Sequence, residues 1–185
     1  MSREPVNLTG LQQAFPYPRS APGATTDLGR LIRDEIARSG PLSFADFMAQ
    51  CLYHPELGYY ARPEVPVVSK KGDFITSVSV GPVFGKLLAH RLHKFWLANG
   101  SPESFTVLEP GAHDGTLCLD ILASIKALNP KFDDAIHYLV YEPLPVRRQL
   151  LQAKLGGKAS VIATPGEAKA EVGALVANEI LDALP

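Results

Sequence analysis

The chain has 185 residues, with 18 Lys and Arg against 19 Asp and Glu, so its formal net charge is -1. A near-neutral charge argues against a nucleic-acid partner bound by broad neutralisation of phosphates. The sequence holds no run of ~18 consecutive apolar residues that would predict a membrane span, and its first ten residues lack the apolar segment of a secretory signal. Because Cys51 and Cys118 are too few for a disulfide framework, we expect one core without disulfides or metal, in a cytoplasmic, reducing location.

The N-terminal part of the chain predicts an irregular arm followed by helices. Residues 1–26 are rich in proline and show little periodicity, which indicates an irregular or disordered arm. Residues 27–103 are expected to form a helical region. Asp27 and Ser43 are the predicted caps of its first two helices, and a third helix is predicted over 82–98.

From residue 104 to 185 short apolar strands alternate with amphipathic helices. The predicted strands are Phe105–Leu108, Ile136–Tyr141, Ser160–Ala163 and Ala174–Ala177, and the predicted helices are Thr116–Leu128 and Pro145–Leu155. Strand-helix-strand units with short connections predict an α/β fold, in which a parallel sheet has helices on both faces. Ligands of such sheets bind outside the carboxyl ends of the strands.

An acid and two glycines follow the first of these strands. Glu109 is expected at the carboxyl end of the strand, where it could meet the ammonium group of a ligand. Gly111 allows a tight turn, and Gly115 lets a ligand approach the start of the next helix without a Cβ in the way. An ordinary strand-to-helix turn explains such a glycine pair equally well. His113, inside the turn, either caps the pocket or is simply exposed.

A second acid, Glu142, ends the next strand. In doubly wound folds an acid at this place binds the ribose hydroxyls of a nucleoside cofactor; the alternative is a solvent-facing strand end. The first turn lacks the G-x-G-x-x-G pattern of dinucleotide sites, and an acid before the glycines repels phosphate. The pattern therefore favours a cofactor without phosphates that carries an amino group and a sulfonium, as S-adenosyl-L-methionine does.

A third polar cluster follows the fourth strand. Asn178 could accept a hydrogen bond from a substrate amine or guanidinium, and Glu179 or Asp182 could pair with its charge. These groups would orient a nucleophile for in-line attack on a methyl carbon. The same residues also suit a helix start with acids near the positive end of its dipole.

Three sequence blocks together resemble the MidA-like family of S-adenosylmethionine-dependent methyltransferases, which includes a mitochondrial protein arginine methyltransferase. The first block is Phe47-Met48 with Cys51 to Tyr60, the second is Gly72 to Ser77 with Phe84-Gly85, and the third comprises Glu109, Gly111, Gly115-Thr116, Ala177 to Glu179 and Asp182 to Pro185. The resemblance implies a class I methyltransferase sheet and a protein nitrogen such as arginine as methyl acceptor. No metal site is expected, because Cys51 and His54 have no second pair of ligands at zinc spacing. The resemblance also implies backbone contacts from Gly111 and Gly115 to the cofactor, a ribose contact from Glu142, and a lid formed by the loop Gly72–Thr76. The cofactor site that we expect comprises Gly72, Asp73, Glu109, Gly111, His113, Gly115, Thr116 and Glu142.

The chain departs from the resembled family in ways that keep a second hypothesis open. Ala112-His113 stands where the family usually has proline and glycine, and the stretch from Ser77 to Val80 lacks the usual acid. A non-catalytic assembly or interaction module on the same fold is therefore the alternative, and a nicotinamide-dependent reductase is a weaker one. The resembled fold has seven strands and only four precede Pro185, so we expect the cofactor-binding half of a longer enzyme that is inactive alone.

Overall fold

The computed structural model describes residues 26–61 and 77–185. Its helices are α1 Asp27–Ser39, α2 Phe44–Tyr53, α3 Ser77–Val80, α4 Val83–Ala98, α5 Thr116–Leu128, α6 Pro130–Ala135 and α7 Pro145–Leu155. Its strands are β1 Phe105–Pro110, β2 Ile136–Tyr141, β3 Ser160–Ile162 and β4 Gly173–Leu175. Short 3-10 helices span Tyr59–Ala61, Pro165–Glu167 and Leu181–Ala183. The predicted arm over 1–26 lies almost wholly outside the described residues.

The chain divides into two compact units, Met1–Pro41 and Leu42–Pro185. The described part of the first unit is helix α1 and its ends. Its cap is Thr26 rather than the predicted Asp27: the Thr26 side chain accepts a hydrogen bond from the backbone N–H of Gly29 at 3.0 Å. Asp27 instead pairs with Arg30 one turn on. A threonine one position earlier satisfies the free N–H groups of the helix start, which leaves the Asp27 carboxylate available for the ion pair.

In the second unit four parallel strands form one sheet in the order β3-β2-β1-β4. Phe105, Thr106 and Val107 are consecutive and all buried, so both faces of β1 are covered, as expected of a parallel sheet. The predicted α/β parallel sheet is confirmed. Four strand ends differ from the prediction: β1 continues to Pro110 because its pairing with β2 runs to Tyr141, β3 stops at Ile162, and β4 begins at Gly173 and stops at Leu175.

The core of the second unit lies between the sheet and its helices. Gly85 of α4 allows that helix to approach α5 closely, because a Cβ there would lie 2.5 Å from Cβ of Asp120. Aromatic rings fill the region beside the start of β1, where Phe132 lies 5.1 Å from Trp96 and 5.7 Å from Phe105 between ring centroids. Ser43 caps α2 as predicted, accepting from the Asp46 N–H at 3.1 Å.

Helix α6 was not predicted by periodicity, because six residues are too few to show an apolar stripe. Its start signal is nevertheless readable: Asn129 accepts hydrogen bonds from the N–H groups of Lys131 and Phe132, and Pro130 stands at the first position. Among the described residues, no helix is long and apolar enough to cross a membrane.

Candidate functional site

Two buried carboxyl groups mark the carboxyl edge of the sheet. Glu109 pairs with Val140 near the end of β1, and Glu142 directly follows β2. Backbone hydrogen bonds fix both ends: the Gly111 N–H donates to the Tyr141 carbonyl at 3.1 Å, and the Glu142 N–H donates to the Ile162 carbonyl at 3.1 Å. The sheet therefore brings together the two acids that the sequence predicted as cofactor ligands.

Glu109 is 3% exposed, and the Tyr138 hydroxyl donates a hydrogen bond to its Oε2 at 2.7 Å. Burial raises the pKa of the Glu109 carboxyl to about 7, against the lowering effect of the Tyr138 hydrogen bond, and the charge of Asp114 raises it further. Burial and the neighbouring Glu109 charge also raise the pKa of Tyr138, so its hydroxyl stays a donor. A cation brought to Glu109 would favour its ionised form.

Glu142 is 5% exposed, and its Oε1 accepts a hydrogen bond from the Leu144 N–H at 2.9 Å. Burial raises the pKa of Glu142, and the Leu144 N–H and the charges of Arg147 and Arg148 oppose that shift. Arg148 also donates to the Glu142 carbonyl at 3.0 Å, which fixes the backbone at this position. The carboxyl group is thus held in place at the strand end.

The turn between β1 and α5 adopts left-handed backbone at three alternating positions: Gly111 has φ +65°, His113 +51° and Gly115 +76°. A Cβ at Gly111 would lie 2.7 Å from Cδ1 of Ile180, so this glycine permits a close approach as well as the turn. A Cβ at Gly115 would lie 3.0 Å from Cδ2 of Leu155, so helix α7 packs directly on this glycine. The packing of α7 therefore explains why glycine stands at position 115, independently of the predicted cofactor contact.

His113 and Thr116 are both partly buried, and each lies beside Asp114. Thr116 donates to the Asp114 carboxylate through its N–H at 3.1 Å and its hydroxyl at 2.9 Å, and His113 Nδ1 lies 3.7 Å from Asp114 Oδ1. Gly72 and Asp73, the remaining predicted cofactor residues, lie outside the described residues together with the predicted lid. The described residues contain no group of three or more His, Cys, Asp or Glu side chains arranged to hold a metal ion.

The segment after β4 lies against the glycine turn through Ile180. Of the predicted acceptor residues, Asn178 is partly buried, while Glu179 and Asp182 are exposed, and Glu179 has left-handed backbone with φ +48°. Asp182 is one of the charges that act on the Tyr60 hydroxyl. The three residues thus share one segment at the carboxyl edge of the sheet, and their role stays a prediction.

An aromatic group beside Glu142 was not assigned a role from the sequence. The rings of Tyr53 and Tyr60 lie 5.4 Å apart, and Arg147 places its guanidinium 5.8 Å from the Tyr60 ring centre while its Nε donates to the Tyr60 carbonyl at 2.6 Å. The Tyr53 hydroxyl donates to the Ala183 carbonyl at 2.9 Å. Burial, followed by the Tyr60 and Glu142 charges, raises the pKa of Tyr53 to about 12, so it remains a donor. The one signal for this group is that both tyrosines lie in the first resembled block.

A protein-family model matches the part of the chain that contains the two acids and the glycine turn. Residues 87–185 match the model of a family described as "Putative S-adenosyl-L-methionine-dependent methyltransferase". The chain belongs to this methyltransferase family. The matched range includes both buried acids, the glycine turn and the segment after β4, so the family resemblance drawn from the sequence is confirmed.

Curated relatives and a solved structure agree with the family. The chain is 29% identical over 154 residues to the mitochondrial protein arginine methyltransferase NDUFAF7 homolog of Drosophila melanogaster, covering 80% of this chain and 35% of that protein. It is 35% identical over 102 residues to the human protein arginine methyltransferase NDUFAF7, covering 55% of this chain and 23% of that protein. A crystal structure from Burkholderia thailandensis, bound to S-adenosyl-homocysteine, superposes with a TM-score of 0.69 at 28% identity over 85% of this chain and 42% of that one. The chain thus spans about a third or less of the curated relatives' length, and its fold is that of a class I methyltransferase.

Proposed function

We propose that this chain binds S-adenosyl-L-methionine at the carboxyl edge of β1 and β2, and that the full gene product transfers its methyl group to a protein nitrogen, the guanidinium of arginine. One observation carries the proposal. Two acids, Glu109 and Glu142, are buried at the ends of adjacent parallel strands and flank a glycine turn with left-handed backbone. Family membership supports it, and the names of the animal relatives support arginine as acceptor.

The charges at this edge fit the methyl donor better than a dinucleotide. A phosphate group would meet carboxyl groups at both strand ends, and Lys154, a cation that reaches the turn, already binds Asp114 at 2.5 Å. An ammonium group and ribose hydroxyls instead complement buried acids. These donors therefore fit S-adenosyl-L-methionine, whose sulfonium supplies an electrophilic methyl group when bound.

Each acid has a distinct task in this arrangement. Glu109 would give up its proton and pair with the ammonium group of the ligand, while Tyr138 continues to donate to it. Glu142 would accept hydrogen bonds from ribose hydroxyls, since the Leu144 N–H and Arg148 hold its backbone and carboxyl in place. The chain's contribution to transfer is therefore to bind and orient, which is how enzymes promote an in-line displacement.

The segment after β4 is proposed to receive the methyl acceptor. Asn178, Glu179 and Asp182 lie on it, and two of them are exposed carboxylates that can pair with a guanidinium. Ile180, between them, contacts the glycine turn. A methyl acceptor held by these side chains would therefore lie next to the glycine turn.

Transfer is tested with the full gene product, tritiated S-adenosyl-L-methionine and a lysate of the source organism, with mass spectrometry to locate the methyl group. We expect label on protein arginine, and its loss in Asp182→Asn but not in Glu171→Gln, an exposed acid at the opposite end of β4. Cofactor binding without any transfer would contradict the catalytic proposal and favour the non-catalytic assembly module. Label on lysine alone would contradict arginine as acceptor.

We also propose a cytoplasmic location, supported by two free thiols: Cys118 is buried and Cys51 partly so. The animal relatives are named as mitochondrial proteins. Fractionation of the source cells with an antibody to the protein tests the location, and recovery in an organelle or an exported fraction would contradict it.

A further inference from the structure

The glycine turn between β1 and α5, called the cofactor turn below, contains one residue, His113, whose backbone conformation needs support. Gly111 and Gly115 adopt left-handed backbone without a steric penalty, because glycine has no Cβ. His113 lies between them at φ +51° and does have a Cβ, which the left-handed region disfavours. Contacts around the turn must therefore hold His113 in this conformation.

The Asp114 carboxylate accepts three hydrogen bonds that stabilise this turn. Its Oδ1 accepts the Thr116 N–H at 3.1 Å, and its Oδ2 accepts the Thr116 hydroxyl at 2.9 Å and the Lys154 ammonium at 2.5 Å. Burial favours the neutral acid, but the nearby His113 ring and hydrogen bonds from Lys154 and Thr116 hold the pKa of Asp114 well below its ordinary value. Asp114 is therefore ionised and fixed from both sides of the turn.

Lys154 brings support from another element. It lies on α7, forty positions from Asp114 in sequence, and its ammonium also reaches the Thr116 hydroxyl at 3.0 Å. Two buried leucines of the same helix, Leu151 and Leu155, pack on Gly115. One helix thus fixes the turn by apolar packing and by charge.

We propose that Lys154 is a positioning residue for the cofactor turn: it binds Asp114 and so keeps His113 in the left-handed conformation that aligns the turn. The identity of the ligand that benefits rests on the proposed function, whereas the contact itself does not. The side chains of Lys154 and Asp114 are 41% and 50% exposed. Because exposed ion pairs contribute little alone, we expect changes of about three- to tenfold rather than larger ones.

The effects of substitutions at Lys154 and His113 are expected to be non-additive. Glycine at position 113 would adopt φ +51° without support, so His113→Gly should remove the need for Lys154. Lys154→Met should therefore matter in the wild-type background and have little effect beside His113→Gly. Lys158→Met is the matched control, because Lys158 is an exposed lysine just beyond the end of α7.

Hydrogen exchange without ligand tests the contact directly. We expect Lys154→Met to speed exchange of the peptide over 111–116 by about three- to tenfold. Lys158→Met should leave it unchanged, and the double variant Lys154→Met/His113→Gly should match His113→Gly within about twofold. Equal exchange in Lys154→Met and the control, or an undiminished effect beside His113→Gly, would overturn the proposal.

Calorimetry with S-adenosyl-homocysteine tests the consequence. Lys154→Met should weaken binding about three- to tenfold, and Lys154→Arg should restore it to within about twofold of wild type. A merely structural lysine would lower the melting temperature and leave the Kd unchanged, which would overturn the positioning role. Absence of binding by the wild type would instead refute the proposed function, while the exchange result still decides the contact. Asp114→Asn removes the same ion pair from the other side and should reproduce the effect if Lys154→Met does not fold.

Discussion

The buried carboxyl of Glu109 makes the stability of the protein depend on pH in a direction that the structure fixes. Its pKa is raised from 4.5 to about 7 in the folded chain, mainly by burial. Between these two values the folded state binds more protons than the unfolded state, so the free energy of unfolding falls as pH rises. A shift of that size corresponds to about 3 kcal/mol in total, and to about 2 kcal/mol between roughly pH 5 and pH 8.

Glu109→Gln isolates this contribution, because glutamine keeps an acceptor for the Tyr138 hydroxyl and cannot ionise. Urea unfolding at several pH values measures it, with the buried Trp96, the sole tryptophan of the chain, as fluorescent reporter. We expect the stability of the variant relative to wild type to increase by about 2 kcal/mol between roughly pH 5 and pH 8. Glu171→Gln, an exposed acid, serves as control. A difference between variant and wild type that does not change with pH would refute the assignment of a raised pKa to Glu109.

Three further variants probe the turn, the core and the segment after β4. Gly111→Ala places a Cβ 2.7 Å from Ile180 Cδ1 at φ +65°, and we expect calorimetry to show at least about tenfold weaker binding of S-adenosyl-homocysteine. Phe132→Ala removes a fully buried ring from the aromatic cluster and should lower the free energy of urea unfolding by about 3–5 kcal/mol. Tyr53→Phe removes the hydrogen bond to the Ala183 carbonyl and should speed hydrogen exchange over 181–185 by about fivefold, corresponding to about 1 kcal/mol.

Matched substitutions control for each of these variants. Gly166→Ala adds a methyl group with nothing within 4 Å and should leave binding unchanged. Phe44→Ala removes a ring that is 77% exposed and should change stability far less than Phe132→Ala. Tyr141→Phe removes the hydroxyl of a partly buried tyrosine at the end of β2 and should leave exchange over 181–185 unchanged. Equal effects in a variant and its control would contradict the corresponding contact.

The sequence predicted the bounds of those helices and strands that have a strong local pattern. Helices Thr116–Leu128 and Pro145–Leu155 and strand Ile136–Tyr141 have the predicted bounds, because an apolar stripe, an N-terminal proline or a run of mostly apolar and aromatic residues marks each one. Helix α6 and the end of β4 had no comparable period. The end of β4 depends on pairing with β1, which periodicity along one strand does not reveal.

The candidate site was also predictable only in part. Glu109 and Glu142 were predictable, because the carboxyl ends of parallel strands meet at one edge of the sheet. Their partners were not, since each contact joins residues far apart in sequence: Tyr138 with Glu109, Lys154 with Asp114. A single sequence holds no signal for such pairs, so the raised pKa of Glu109 and the support of the turn by α7 follow only from the structure.

The central claim is that buried Glu109 and Glu142 form the binding site for S-adenosyl-L-methionine, and titration calorimetry with S-adenosyl-homocysteine tests it most directly. We expect the wild-type chain to bind this ligand and not NADH, with about tenfold or greater weakening in Glu142→Gln and unchanged binding in Glu171→Gln. Folded wild-type protein that binds no S-adenosyl-homocysteine, or a folded Glu142→Gln variant with wild-type affinity, would contradict the claim.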